Sequence, residues 1–363
     1  MNSEKKSRGA LWGALWGALI ALGCLILLFA WLLVWLTLSE YKPEALEEVP
    51  LEGTVSEVLV PGQELTILTW NIGYGALGDN ADFFMDGGKG VRTADEARVR
   101  MNMDGISSAI QFQSPDVIFL QECDLDSSRS HRMDEAAFLT SALPGYQSAF
   151  VYNYKVLYVP YPMPPIGRVN SGLLTLSRFQ AASAERVALP CPFTWPVRLA
   201  NLKRCLLVER LPIEGSDRQL VLVNLHLEVY DDGEGKRAQT ELLRGFLEAE
   251  AEAGNYVVAG GDFNQIFSDI ENPYPSQEGM WLPRELDTKE FPEDWQFLMD
   301  TTLPSCRSLD QPLAGADLES FQYYLIDGFI VSSDLTVENL SALDLGFVCS
   351  DHNPVLLTLR LPV

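Results

Sequence analysis

Hydrophobic and polar positions divide the chain into one unbroken apolar stretch and a long region of short alternating runs. Residues 10–38 carry no charge and are almost wholly apolar, well beyond the roughly 20 residues that span a bilayer core. Past residue 62, apolar runs predict strands at 65–74, 116–122, 171–177, 205–211, 219–227, 256–263, 324–331 and 354–361. Val99, Met103, Ile106 and Ile110 recur at helical spacing and predict an amphipathic helix over roughly 95–112. Leu242, Leu243, Phe246 and Leu247 place a second helix between two strands. Strands alternating with helices over this length predict an α/β fold with a large sheet system. Residues 271–320 hold six prolines and little periodicity, and read as a long surface excursion.

The apolar stretch has the marks of a membrane span. Trp12 and Trp16 stand near one end and Trp31 and Trp35 near the other, as in two interfacial aromatic belts. A cleaved signal has a much shorter apolar region. Lys5, Lys6 and Arg8 precede the span, and Glu40, Glu44, Glu47 and Glu48 follow it. The positive-inside rule therefore predicts a cytoplasmic tail (1–9), a transmembrane signal anchor (10–38) and everything beyond outside the cytoplasm. A bacterial cell surface fits this arrangement. Gly13 and Gly17 form a GxxxG, which makes a homodimer through the span a candidate, although small residues are common in all membrane helices. Residues 39–62, acidic and with three prolines, read as a linker to a catalytic domain at 63–363.

Composition narrows the function. The 363 residues are 47% apolar and 21% charged, which excludes wholesale disorder. The net charge is -24, from 26 basic and 50 acidic residues. Such a body repels polyphosphate, so no stable nucleic-acid partner is expected. Six cysteines are too few for a disulfide scaffold; Cys191 and Cys205 are placed to close a short loop, but spacing does not fix pairing.

The chemistry lies where strands end. Asn71 follows LTILTW, Glu122 follows VIFLQ, and Asp262 and Asn264 follow VVAGG. Asp327 follows YYLI, and Asp351 and His352 precede PVLLTL. Asn224 and His226 share one strand face with Leu222. Buried without partners, such groups cost several kcal/mol each, so they meet one another, water or a metal. Oxygen-rich donors with few histidines suit Mg2+, or Mn2+, rather than zinc. Metal-assisted hydrolysis of a phosphoester follows, with Asp262 or a His–Asp pair as base.

At these residues the sequence resembles the endonuclease/exonuclease/phosphatase superfamily. That superfamily includes deoxyribonuclease-like nucleases, abasic-site endonucleases, inositol-polyphosphate 5-phosphatases and neutral sphingomyelinases. The matching segments, in the family's order, are TWNIGY, LQE, VNSGLLTLSR, NLHLE, GGDFN, IDGFIV and SDHNP. The resemblance implies a four-layer α/β/β/α sandwich of two mixed sheets. It implies Glu122 as principal Mg2+ ligand with Asn71 beside it, and Asp351 assisting. It implies that Asp262 and Asn264 orient or activate water. His226 and His352 would stabilise phosphate oxygens, with Asp327 orienting His352. The base stays open between Asp262 and the Asp327–His352 pair. Asn170, in VNSG, matches a phosphate-contacting asparagine of some members.

Departures bear on the substrate. The WCDR signature of the inositol phosphatases is missing, and no basic groove for DNA is evident. The NSG…LSR segment and the anchor favour a phosphodiesterase acting on a lipid headgroup or small organophosphate, over a nuclease or a silent surface binding module. Arg129, His131 and Arg132, with Lys155 and Arg168, are candidates to attract an anionic group. Phe83, Phe84 and Gly87 to Gly90 form a candidate cover for the site.

Overall fold

The computed structural model describes residues 2–229, 231, 233–292 and 295–363, with side chains from residue 11. The first elements are α1 (Asn2–Leu38), β1 (Leu46–Val49), β2 (Glu64–Asn71), α2 (Glu96–Gln113), β3 (Val117–Asp124), α3 (Glu135–Ala142) and β4 (Gln147–Val159). Then come β5 (Gly167–Ser177), β6 (Ser183–Ala188), β7 (Cys205–Pro212), β8 (Gln219–His226), α4 (Glu234–Glu252) and β9 (Tyr256–Asp262). The last are β10 (Gln265–Phe267), β11 (Arg284–Leu286), β12 (Trp295–Leu298), β13 (Cys306–Arg307), β14 (Tyr323–Tyr324), β15 (Asp327–Ser332), β16 (Thr336–Ala342) and β17 (Val355–Arg360).

Two sheets dominate: seven strands in the order β1-β6-β7-β8-β9-β15-β12, and six in the order β16-β17-β2-β3-β5-β4. Both are mixed, because β8–β9 and β2–β3 pair in parallel while their neighbours are antiparallel. Strand alternation sorts the side chains into layers. Leu65, Ile67, Val117, Phe119, Leu220, Leu222, Val258 and Phe329 meet between the sheets. Leu68, Trp70, Ile118 and Leu120 face α2 through Val99, Met103, Ile106 and Ile110. Val221, Val223, Val257 and Ala259 face α4 through Leu243 and Leu247. The architecture is the four-layer α/β/β/α sandwich expected. Asp95 caps α2 by accepting the Arg98 N–H at 2.8 Å, and Asp134 caps α3 by accepting the Ala137 N–H at 2.8 Å.

Three features differ from the sequence reading. The 39–62 segment is not a free linker: β1 pairs with β6 at the sheet edge, and Leu59 is fully buried in the inter-sheet core. Its adjacent acids fall on opposite faces, Glu47 half-buried beside Arg186 and Glu48 exposed, and so hide the strand's alternation. The 271–320 excursion contributes β12, the opposite edge of the same sheet, and returns along the cavity. All six cysteines are free, including Cys191 and Cys205, so no loop is closed between them.

Leu11–Leu38 of α1 is long and apolar enough to cross a membrane, and almost none of it is buried. Its end is tied to the body. Trp195 Nε1 donates to Thr37 Oγ1 at 3.2 Å, and Arg198 pairs with Glu40 at 2.9 Å.

Candidate active site

The inner faces of the strands deliver most of the polar set to one end of the sandwich. On β8, Leu220 and Leu222 fill the inter-sheet core, and the same parity carries Asn224 and then His226 toward the strand's end. On β9 and β15 it carries Asp262 and Asp327. His226, Asp262 and Asp327 lie side by side in register across three neighbouring strands. Gly260 makes room for the Phe329 ring on the same face, since a Cβ there would sit 2.4 Å from it. On β2, Leu65 and Ile67 precede Asn71 at the exit.

Glu122 arrives differently. Parity with Ile118 and Leu120 would point it toward the helices. The pairing of β3 with β5 shifts between Leu120 and Cys123, and Glu122 has a φ of 56°. This bulge turns the carboxylate into the cavity and leaves Cys123 on the helix side. Asp351 and His352 come from the loop before β17. Trp70 Nε1 donates to the His352 carbonyl at 2.9 Å, and Ser350 Oγ donates to the Asn71 carbonyl at 2.7 Å.

The groups converge tightly. His352 Nδ1 lies 2.8 Å from Asp327 Oδ2. Asp262 Oδ2 accepts Asn71 Nδ2 at 3.0 Å and stands 3.4 Å from His226 Nε2 and 3.9 Å from His352 Nε2. Asp262 Oδ1 accepts the Asn264 N–H at 2.9 Å, and Asn264, at φ 51°, donates Nδ2 to the Leu227 carbonyl at 2.9 Å. Burial, then the neighbouring Asp327, pushes Asp262 up to about 7. Burial, and then Arg204 and His352, holds His226 well below its ordinary value, so it is neutral. Burial disfavours charge on His352 as well, but the Asp327 carboxylate outweighs it and keeps the ring well above the usual range. Burial raises Glu122 and Asp351, with Asp351 adding to the rise at Glu122.

Asn71, Glu122, His226, Asp262, Asn264, Asp351 and His352 line a cavity of about 610 Å³, with Asp327 behind His352 rather than in the wall. Arg129, Arg204 and Arg307 also line it, in a protein that is otherwise strongly acidic. Arg129 is held by both oxygens of Asp124 at 3.0 Å and lies 3.6 Å from the centre of the Tyr74 ring. Arg204, Arg307, Cys306 and Trp281 had no signal in the sequence, because tertiary packing alone brings them in; Tyr74 lay within TWNIGY but was not singled out. Phe83, Met85, Asp86 and Gly87 form part of the wall, as the expected cover does. Asp86 is pushed up to about 7 by burial and then by Asp351 and Glu122.

Some expected residues lie elsewhere. Asn224 is fully buried between the sheets, where its Oδ1 accepts Gln121 Nε2 at 2.8 Å and its Nδ2 donates to the Leu120 and Leu174 carbonyls. It sits one pleat deeper than His226 and is a structural link, not a cavity residue. Arg168 turns to Asp126 at 2.6 Å, as does Arg132, and neither lines the cavity. His131 Nε2 is taken by the Ala94 carbonyl at 2.9 Å. Asn170 ties β5 to the 125–127 turn through its backbone, and its neighbour Ser171 lines the cavity instead.

The sequence pattern of the Endonuclease/Exonuclease/phosphatase family matches residues 68–352. No curated protein matches the chain in sequence. Among solved structures, the endonuclease/exonuclease/phosphatase from Beutenbergia cavernae is similar at 20% identity and a TM-score of 0.55, over 82% of this chain and 72% of that one. The family protein from Bacteroides thetaiotaomicron is 17% identical, with a TM-score of 0.53 over 83% of this chain and 99% of its own. That from Bacteroides vulgatus is 16% identical, with a TM-score of 0.52 over 82% and 99%. At these identities the likeness speaks for the fold.

Proposed function

Because this chain belongs to the endonuclease/exonuclease/phosphatase family, whose members hydrolyse phosphoester bonds, we propose that it is a membrane-anchored, Mg2+-dependent phosphodiesterase. The observation that carries this reading is the convergence of Asp262, His226, His352, Glu122, Asp351 and Asn71 on one cavity. Its substrate in this reading is a lipid headgroup or a small organophosphate.

The donor set fits a hard dication. Burial raises the proton affinity of Glu122, Asp351 and the half-buried Asp86; Asp351 adds to the rise at Glu122, and both add to the rise at Asp86, a crowding of negative charge that a cation relieves. Two tighter triads, Cys306–Asp351–His352 and Asp262–Asp327–His352, have donor atoms within 4.8 Å of one another. In the second, His352 is already engaged by Asp327. Following the family resemblance, the proposed Mg2+ ligands are Glu122 and Asp351, with Asn71 alongside, all three lining the cavity; Mn2+ meets the same requirements. When bound, the ion offsets the charge that gathers on phosphate oxygens.

The protein's own groups supply the rest. Asp262 takes a proton as a water oxygen bonds to phosphorus and the P–O bond to the leaving group breaks. The departing alkoxide takes up a proton from solvent or a neighbouring acid. Held by Asn71 and the Asn264 amide, the Asp262 carboxylate is fixed in direction before substrate arrives. His352, kept charged by Asp327, and neutral His226 donate hydrogen bonds to the non-bridging oxygens. Asn264 positions the same carboxylate through its backbone.

The test is hydrolysis of a soluble bis-aryl phosphodiester by the full chain with Mg2+ and with EDTA. Asp262→Asn is expected to lose roughly 10²- to 10⁴-fold in kcat, with Mg2+ binding retained by calorimetry. Wild-type turnover in that variant would sink the assignment. Glu122→Gln is expected to weaken Mg2+ binding in the same calorimetry by more than about tenfold, with an unchanged melting curve.

A further inference from the structure

Two loops beside the cavity expose large apolar side chains to solvent. Tyr161 and Met163 are 69% and 84% exposed, and Trp195 and Val197 are 53% and 57% exposed. They are not scattered. Val156, Val159 and Val169 pack with Ile166 of the first loop and Ala200 beyond the second. Tyr154 Oη also donates to the Ala200 carbonyl at 3.0 Å. The two loops therefore stand side by side as one surface.

That surface adjoins the outer end of α1. Trp195 is bonded to Thr37, and Leu36 is only 5% exposed against the body. Trp31 and Trp35 stack at the same end, at a ring separation of 6.0 Å. Next to it, Arg198, Lys203 and Lys42 gather around the single carboxylate of Glu40. Around Glu40 cations outnumber the carboxylate three to one, on a chain of net charge -24. On its far side the surface meets the cavity rim. Ile166, Asn201 and Leu202 line the cavity, and the Tyr161 ring lies 5.9 Å from that of Phe84 in the cover.

We infer that these two loops seat in the lipid interface beside α1, so that the cavity mouth faces the headgroup layer and draws its phosphodiester from the membrane. The part about substrate rests on the hydrolase reading above; the seat does not. Tyrosine and tryptophan favour the membrane interface, where an apolar ring and a polar edge are both satisfied. Apolar surface left in water at this density costs roughly 25 cal/mol per Å². Cations around Glu40 are attracted to anionic headgroups. Prolines 162, 164, 165 and 196 fix backbone φ, so little freedom is lost on insertion. Continuity with the apolar helix selects a bilayer as the occupant rather than another protein.

The test uses the full chain in vesicles of phosphatidylcholine and phosphatidylglycerol carrying a photoactivatable acyl chain. Lipid adducts are expected at 161–163 and 195–197 as well as within 11–38. Adducts confined to the helix overturn the seat, as does their loss from the loops when chains are crowded in the vesicle and pair with one another. The double variant Met163→Glu, Val197→Glu alters no cavity residue. It is expected to lose tenfold or more on vesicle lipid while hydrolysing the soluble diester as before. Unchanged turnover of vesicle lipid overturns the inference. Loop adducts without hydrolysis of either substrate uphold the seat and reject the hydrolase reading.

Discussion

Glu122 faces the cavity because its own backbone breaks the parity of its strand, at a φ of 56°. Its place at a strand exit was legible in the sequence, but the two-residue alternation would have sent it to the helix side. Asn71, His226, Asp262 and Asp327 follow the alternation and reach the site as their positions imply. Asn224 obeys the same alternation and misleads for that reason, since depth along the strand decides between core and cavity. Arg129 was legible only as part of a basic cluster whose other members, His131 and Arg132, turn away. Asp327 is argued to act through His352, as a positioning residue. Asp327→Asn lets the imidazole return toward its ordinary proton affinity, so the charged form is lost at lower pH than in the wild type. The expected result is a pH–rate profile whose high-pH limb moves to lower pH. A merely structural role would lower the rate equally at every pH.

Among the elements, those with clean periodicity were readable: β2, β3, β5, β7, β8, β9, β15, β17, α2 and α4. The ones missed are β1, β4, β6, β12 and β16, whose apolar alternation is weak or interrupted by polar residues, together with the eight-residue α3 and the two- and three-residue β10, β11, β13 and β14, too short to show a period. β4 carries Asn153 and Lys155 among tyrosines, and its pairing with β5 shifts twice. One buried acid in β7 gives a test at this scale. Glu209 is 1% exposed, its Oε1 has no hydrogen-bond partner, and burial pushes it up to about 8. Between its ordinary value near 4.5 and about 8, the unfolded chain releases this proton while the folded chain keeps it. Stability is therefore intact below that window and falls as pH rises through it. Glu209→Gln is expected to melt with the wild type near pH 4.5 and several degrees above it at pH 8.5, by thermal denaturation.

For the molecule as a whole, the four-layer order follows from which strand faces are apolar on both sides; the alternation of strands and helices implied a large α/β sheet system, and the family resemblance its four layers. The partnership of α1 with the body was not readable, because it depends on single contacts such as Trp195 with Thr37. Net charge sets a further expectation. At -24 the protein repels a polyanion over about a Debye length. Any turnover of single-stranded DNA is expected to rise with added salt, whereas a neutral or zwitterionic lipid is insensitive. A DNA rate that falls with salt would point to a basic binding track and against this account. Only residues 39–45 separate α1 from β1, and Glu40 is pinned within them by Arg198 and Lys203. With α1 in a bilayer, as proposed, such a joint would leave the body little slack to swing away from the membrane surface. For the proposed lipid substrate, encounters would then be a two-dimensional search in which molecules per unit area, not per unit volume, set the rate, and diluting that lipid within the membrane is expected to slow its consumption even when its bulk amount is unchanged.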